Sequence, residues 1–216
     1  MRKFFQRGSE AERPSHSSSK KKYVPRHSSA WKALLERLKG EEGLRVMDVG
    51  PTSPQNITLL TGMGHSIYMA DIVADSLSGE YDLPAEEPGG EKRFDVEKYF
   101  AQETGFSARE FDVVLLWTTL DYIPEELMEP LVERVYEATQ PGALVLAMFH
   151  AKKDSEQTGY SRYHLTDSEM IEVQELESHP ILRANTNRGM EKLFANFSNT
   201  RFFLAKDNLY EVLITR

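Results

Sequence analysis

The chain has 216 residues, 40% of them hydrophobic, enough to bury one α/β core and leave a tail. No apolar run approaches the roughly 20 residues that span a bilayer, Met1-Arg-Lys-Phe-Phe5 is too short for a secretory signal, and the absence of cysteine removes disulfides, thiolate metal sites and thiol nucleophiles together. The formal net charge of −8 is uneven: residues 1–26 carry eight Lys/Arg against two Glu, a net of +6, so the remainder carries −14. Residues 1–27, rich in serine beside Lys20-Lys-Lys22, therefore read as a disordered basic tail, and residues 28–216 as one folded domain. The tail is either an electrostatic arm for nucleic acid or an anionic membrane, with Phe4 and Phe5 as shallow anchors, or a solvated terminus resting against an acidic domain. No reader motif accompanies its charge. With no export signal or spanning segment, the expected compartment is the cytoplasm.

From Ser28 the pattern becomes helical: Trp31, Leu34, Leu35 and Leu38 form an apolar stripe that predicts a short covering helix ending near Gly40. Leu44-Arg-Val-Met-Asp-Val-Gly-Pro-Thr-Ser-Pro-Gln-Asn56 then reads as a buried strand, a tight loop and a helix opening, with Ser53 as cap and Pro54 at the first helical position. A second strand, about Ser66 to Ala70, ends in Asp71. An open parallel sheet holds a nucleoside in this way: the loop leaving the first strand approaches the ligand, and the acid ending the second accepts both ribose hydroxyls. Asp71 is also placed to cap the next turn. Gly-x-Gly-x-x-Gly from Gly50 would need glycine at Thr52 and Gln55, so a dinucleotide enzyme fits worse.

Asp75 to Glu91, with Pro84, Pro88, Gly89 and Gly90, predicts an exposed connection. Arg93-Phe-Asp-Val96 is a short strand candidate, whose Asp95 either serves a ligand or caps a helix at 97–102. Phe111-Asp-Val-Val-Leu-Leu-Trp117 is a nearly unbroken apolar run and predicts a central strand covered on both faces. After it, Asp121 and Tyr122 are either a base and its hydrogen-bond partner or the opening of a helix over about 125–139, which buries Leu127, Leu131, Val135 and Ala138 and stops at Pro141-Gly142. Ala143 to Phe149 is the next strand; His150 leaves it, where an imidazole suits a general base but shows no partner in the sequence. Thr166-Asp-Ser-Glu169 has capping-box spacing and predicts a helix over 167–177, with an irregular insertion as the alternative; Tyr160, Arg162, Tyr163 and His164 before it are lid candidates. A helix over 188–197 and a hairpin of 200–205 with 209–215 close the chain. The six histidines lack metal-ligand spacing, so no metal is expected.

The order of these elements, with Asp48 and Gly50 in the loop, Asp71 after the second strand, the Phe111-Asp-x-Val opening and Thr139-Gln-Pro-Gly-Ala-Leu-Val-Leu146, resembles the class I S-adenosylmethionine-dependent methyltransferases over about residues 30–216. That family has Asp/Glu-x-Gly-x-Gly-x-Gly in this loop, and Thr52 and Pro54 stand where its second and third glycines fall. The resemblance implies a three-layer Rossmann-like sandwich with a mostly parallel seven-stranded sheet and an antiparallel C-terminal strand. It implies S-adenosylmethionine as cofactor, held by Asp48, Gly50, Pro51, Thr52, Asp71, Ile72, Asp95, Val96 and Trp117. Asp95 and the Val96 amide would serve the adenine, and Trp117 would stand beside the transferable methyl group. No residue is singled out as catalytic, because an activated methyl group chiefly needs alignment. The implied activity is methyl transfer to an unidentified small-molecule acceptor; the substitutions at Thr52 and Pro54 motivate the alternative of a non-catalytic binding or scaffold protein on the same fold.

Overall fold

The computed structural model describes residues 23–85, 92–102, 110–151, 158–204 and 207–216. Strand β1 (Tyr23–His27) leads into helix α1 (Ser29–Gly40), opened by Ser28, whose Oγ accepts the Trp31 N–H. There follow β2 (Arg45–Val49), α2 (Pro54–Gly62), β3 (Ser66–Ala70), α3 (Ile72–Leu77), β4 (Asp82–Leu83) and β5 (Arg93–Phe94). The chain continues through α4 (Val96–Gln102), β6 (Phe111–Trp117), α5 (Thr119–Tyr122), α6 (Glu125–Ala138) and β7 (Thr139–His150). It ends with β8 (Thr158–Leu165), β9 (Met170–His179), α7 (Asn187–Leu193), β10 (Asn199–Leu204) and β11 (Leu209–Thr215).

The central sheet has the order β10-β11-β7-β6-β2-β3. β3, β2, β6 and β7 are parallel, and β11 runs antiparallel to β7. Strand side chains alternate between faces. Val46, Val113, Leu115 and Leu146 therefore pack with Trp31, Leu34 and Leu38 of α1 on one side, while Met47, Val114, Leu116 and Val145 pack with Leu127, Leu131 and Val135 of α6 on the other. Double coverage explains why Phe111–Trp117 reads as continuous apolar sequence rather than an alternation. Consecutive strands β2 and β3 lie to one side and β6 to the other, so the carboxyl ends of β2 and β6 flank the crevice where such sheets take ligands.

Several expectations need correction. Among the described residues the sheet has six strands, not seven: Arg93–Phe94 pairs antiparallel with Asp82–Leu83 instead of joining β3, since only two residues separate Lys92 from Asp95 and Asp95 already opens α4. Pro141-Gly142 does not precede a fresh strand but lies inside β7 as a bulge; partners jump from Phe111 with Thr139 to Val113 with Leu144, and Gly142 takes a φ of 81°. The helix expected over 167–177 is strand β9. Thr166 and Ser168 bond to each other at 2.9 Å in the turn between β8 and β9, so their capping-box spacing belongs to a hairpin, and Ile171 and Val173 follow strand alternation. The expected connection over 75–91 contains the end of α3 and strand β4, its later part, 86–91, lying outside the described residues.

Tyr23–His27, expected within the tail, pairs with Gln174–Met170 of β9 to complete a separate three-stranded sheet, β1-β9-β8. Residues 1–22, on which the rest of the tail expectation falls, lie outside the described residues. Arg26 ties this sheet to the core: it bonds to Asp207 at 2.6 Å and to the buried Glu211, whose Oε2 accepts the Ala30 N–H at 2.9 Å. No helix among the described residues is long and apolar enough to cross a membrane. Replacing Arg26 by Met leaves Glu211 buried without its cation, and is expected to lower unfolding free energy in urea by about 3–5 kcal/mol. Adding Glu211→Gln should recover much of that loss; equal losses in the single and double variants would show that the pair does not hold β1.

Candidate functional site

The loop between β2 and α2 is built as its sequence dictates. Ser53 caps α2, its Oγ accepting the Asn56 N–H at 3.2 Å, and Pro54 occupies the first turn. Thr52 and Pro54 are exposed, and Pro51 is half-buried. Inside the loop, Asp48 is buried, and both of its oxygens are taken: Asn56 Nδ2 donates to Oδ2 at 2.7 Å and the Trp117 indole N–H to Oδ1 at 2.6 Å. Burial pushes the Asp48 carboxyl up to about 6, the two hydrogen bonds opposing the rise.

Trp117 ends β6 with a φ of 49°, the one positive value at a non-glycine residue among the described residues. Such backbone costs about 1–3 kcal/mol. Here the bond to Asp48 and an aromatic contact offset it: the Tyr163 ring stacks on the indole at 4.8 Å and 10°. The indole covers Gly50, where an added Cβ would stand 3.4 Å from Trp117 Cδ1 and 3.7 Å from the Tyr160 hydroxyl.

The β8 hairpin supplying Tyr160 and Tyr163 is fastened to the same loop. Asn56 Nδ2 also donates to the Tyr163 carbonyl, Asn56 Oδ1 accepts the Leu165 N–H at 2.7 Å, and Ser53 Oγ lies 2.8 Å from His164 Nδ1. Burial lowers the His164 pKa, which favours the neutral ring that accepts from Ser53 and donates from Nε2 to Gln174. The expected lid is thus a braced cover.

Asp71 follows β3 and does two things at once. Its Oδ1 accepts the Ala74 N–H at 3.2 Å, capping α3, and the Tyr160 hydroxyl at 3.4 Å. No described group donates to Oδ2. Burial and the neighbouring Asp71 raise the Tyr160 pKa, so the phenol stays protonated as donor. Beside Asp71 opens a cleft of about 610 Å³ lined by Pro51, Val73, Leu77, Tyr160 and Arg162.

The structure thus gathers Asp48, Gly50, Pro51, Asp71 and Trp117 at the carboxyl ends of β2, β3 and β6. Ile72 is fully buried behind Asp71. Asp95 and Val96 are not brought to this cleft: Asp95 Oδ1 accepts the Lys98 N–H at the start of α4, and Val96 lines a different cavity with Pro130 and Glu133. Tyr160 and Tyr163, expected as lid residues, reach the site from β8, and Asn56 completes it without having been expected there. Asn56 had a local signal, an amide in the first turn of a helix leaving a carboxylate-bearing strand.

A family model described as "Methyltransferase domain" matches residues 23–193, from the first residue of β1 to the last of α7. The chain belongs to that family. It is a member of the S-adenosylmethionine-dependent class I methyltransferases, and its six-stranded, mostly parallel α/β sheet is Rossmann-like. Solved structures similar to this methyltransferase-family chain include an S-adenosylmethionine-dependent methyltransferase from Clostridium acetobutylicum ATCC 824, at 12% identity over 86% of this chain and 90% of that one, with a TM-score of 0.48. Another, from Methanosarcina mazei, is 14% identical over 84% and 96% of the two chains, with a TM-score of 0.47. Magnesium protoporphyrin IX methyltransferase from Synechocystis PCC 6803, a complex with S-adenosylmethionine, is 12% identical over 86% and 77%, with a TM-score of 0.46. No curated protein sequence matches the chain.

S-adenosylmethionine is the cofactor of the methyltransferase family, and the residues present fit its two halves differently. The ribose end fits: Asp71 Oδ2 carries no described donor and stands beside a cleft of suitable size. The space over Gly50, toward which the methionyl end would extend, is closed by Trp117 and Tyr160 in this conformation.

The raised Asp48 pKa has a stability consequence. The folded protein holds that proton more tightly than the unfolded chain, whose carboxyl titrates near about 4, so the contribution is fully present below about pH 4 and lost as pH rises through about 6. Asp48→Asn removes this component. The unfolding free energy of wild type minus that of the variant, from urea melts, should be larger at about pH 4 than at about pH 7 by up to about 3 kcal/mol. A pH-independent difference would mean that Asp48 titrates normally.

Proposed function

We propose that the protein transfers the methyl group of S-adenosylmethionine to a small-molecule acceptor. The observation that carries this reading is Asp71, a carboxylate at the end of the second parallel strand that lines a cleft of about 610 Å³ and has one oxygen without a donor among the described residues. When bound, the cofactor supplies a methyl group already activated on a sulfonium, so the protein's task is alignment and exclusion of water. Asp71 would take the ribose hydroxyls, and Pro51, Val73 and Leu77 would wall the nucleoside. Asp48 orients the indole through its hydrogen bond.

A second reading, a non-catalytic member of the family that binds a nucleoside-like ligand or a partner, is favoured by one feature. Trp117 is fixed by Asp48 and Tyr163, and Tyr163 belongs to a strand braced by Asn56. Admitting the methionyl half requires that assembly to move.

Calorimetric titration with S-adenosylmethionine and S-adenosylhomocysteine separates the two. Under the first reading the wild type binds both, and Asp71→Ala weakens binding about tenfold or more, the loss of a charge-assisted hydrogen-bond pair. Trp117→Gly suits the positive φ and empties the space over Gly50. Binding by this variant alone would support the second reading, and binding unaffected by Asp71→Ala would remove Asp71 from the site.

A further inference from the structure

Strand β8 brings a second polar group to the cleft beside Asp71. Strand residues two apart share a face and lie roughly 7 Å from each other, and Tyr160 and Arg162 both line this cleft of about 610 Å³. Tyr160 donates to Asp71 at 3.4 Å. A guanidinium and a carboxylate therefore share one cavity, with a phenol between them.

A guanidinium combines several donors in a rigid fork with a permanent positive charge, and the fold satisfies little of it at Arg162. Nη1 donates to Gln174 Oε1 at 3.1 Å, an oxygen that also meets the His164 ring at 3.2 Å. Gln174 is neutral, no carboxylate among the described residues pairs with Arg162, and its Nε is buried without an acceptor. By contrast, Arg26 is held by Asp207 and Glu211, and Arg183 by the carbonyls of Leu120 and Ile123. Buried donors are normally paired. A fork left short of acceptors on a cavity wall suits a phosphate, which it can take through two parallel bonds.

The rest of the cleft says what would carry that anion. Asp71 Oδ2, with no described donor, suits hydroxyl groups. Val73, Leu176 and the exposed Leu77 give an apolar wall for a flat ring. An acid for hydroxyls, an apolar wall and a cation for an anion together match a nucleotide. The place of its phosphate follows from charge and space. Ribose hydroxyls on Asp71 are the 2′ and 3′ ones, where a phosphate would meet a like charge, so the phosphate belongs on the 5′ carbon. A 5′ substituent finds the space over Gly50 closed by Trp117 and Tyr160, whereas Arg162 stands one strand repeat beyond Tyr160.

We infer that Arg162 binds the 5′-phosphate of a nucleotide whose ribose rests on Asp71. This rests on the assignment of a ribose to Asp71 and is independent of methyl transfer; it requires no movement of Trp117. A nucleotide held in this way and S-adenosylmethionine compete for the same carboxylate.

The test is calorimetric titration of the full chain with adenosine, adenosine 5′-monophosphate and adenosine 3′-monophosphate. The 5′-monophosphate should bind about tenfold or more tightly than adenosine, the gain of a charge-assisted hydrogen-bond pair, and the 3′-monophosphate no more tightly than adenosine. Arg162→Gln should bring the 5′-monophosphate to the level of adenosine and leave adenosine itself unchanged. Arg162→Lys keeps the charge without the fork and should retain part of the preference, so it decides the matter should the glutamine variant not fold. Equal binding of adenosine and the 5′-monophosphate, or a preference that survives in Arg162→Gln, would overturn the inference. Adenosine binding that is weakened by Asp71→Ala but indifferent to the phosphate would overturn it while keeping the ribose on Asp71; failure of all three probes to bind would remove both.

Discussion

A carboxylate taken out of water must be answered by donors, and in this protein Asp48 organises its surroundings by that demand. It has two oxygens and two side-chain donors, Asn56 from the helix that follows and Trp117 from the neighbouring strand. Meeting the demand fixes the start of α2 relative to β2 and holds the backbone of Trp117 in a left-handed turn it would otherwise leave. Asn56 then has a second donor hydrogen and a carbonyl to satisfy, and it does so with the backbone of β8. One buried charge thus specifies how three separate segments meet at the crevice.

Much of this architecture was legible because it depends on neighbours in sequence. Ser53 and Pro54 open α2, the apolar run from Phe111 is a doubly covered strand, and Ser66–Ala70 is a strand ending at Asp71. The positions of Asp48, Gly50, Asp71 and Trp117 at the crevice follow from their places at strand ends. What remained illegible depends on partners far along the chain. Thr166 and Ser168 satisfy local rules for a helix start equally well when they close a hairpin, and pairing with β1, more than 140 positions upstream of β9, decides between the two. A strand of two residues likewise has too little pattern to say which neighbour it will join, and Arg93–Phe94 joined β4.

Thr52 and Pro54 stand where the family has glycines, but the side chains nearest Gly50 are others. Both are exposed, whereas the side chains over Gly50 arrive from β6 and β8. Loop composition alone therefore does not measure access to such a site. His150 makes the same point in reverse: an apparently solitary imidazole is held by Asp121, because α5 turns its buried acid toward the end of β7.

The small sheet β1-β9-β8 has a mechanical consequence. Its first strand is anchored to the core by Arg26, its last presses Tyr160 and Tyr163 onto the loop, and β9 bonds to both. Load applied at one margin is carried across continuous ladders to the other. The chain's first described residues and the aromatic cover of Tyr160 and Tyr163, separated by more than a hundred positions in sequence, therefore behave as two ends of one lever, and unfastening Arg26 would loosen that cover as a unit rather than residue by residue.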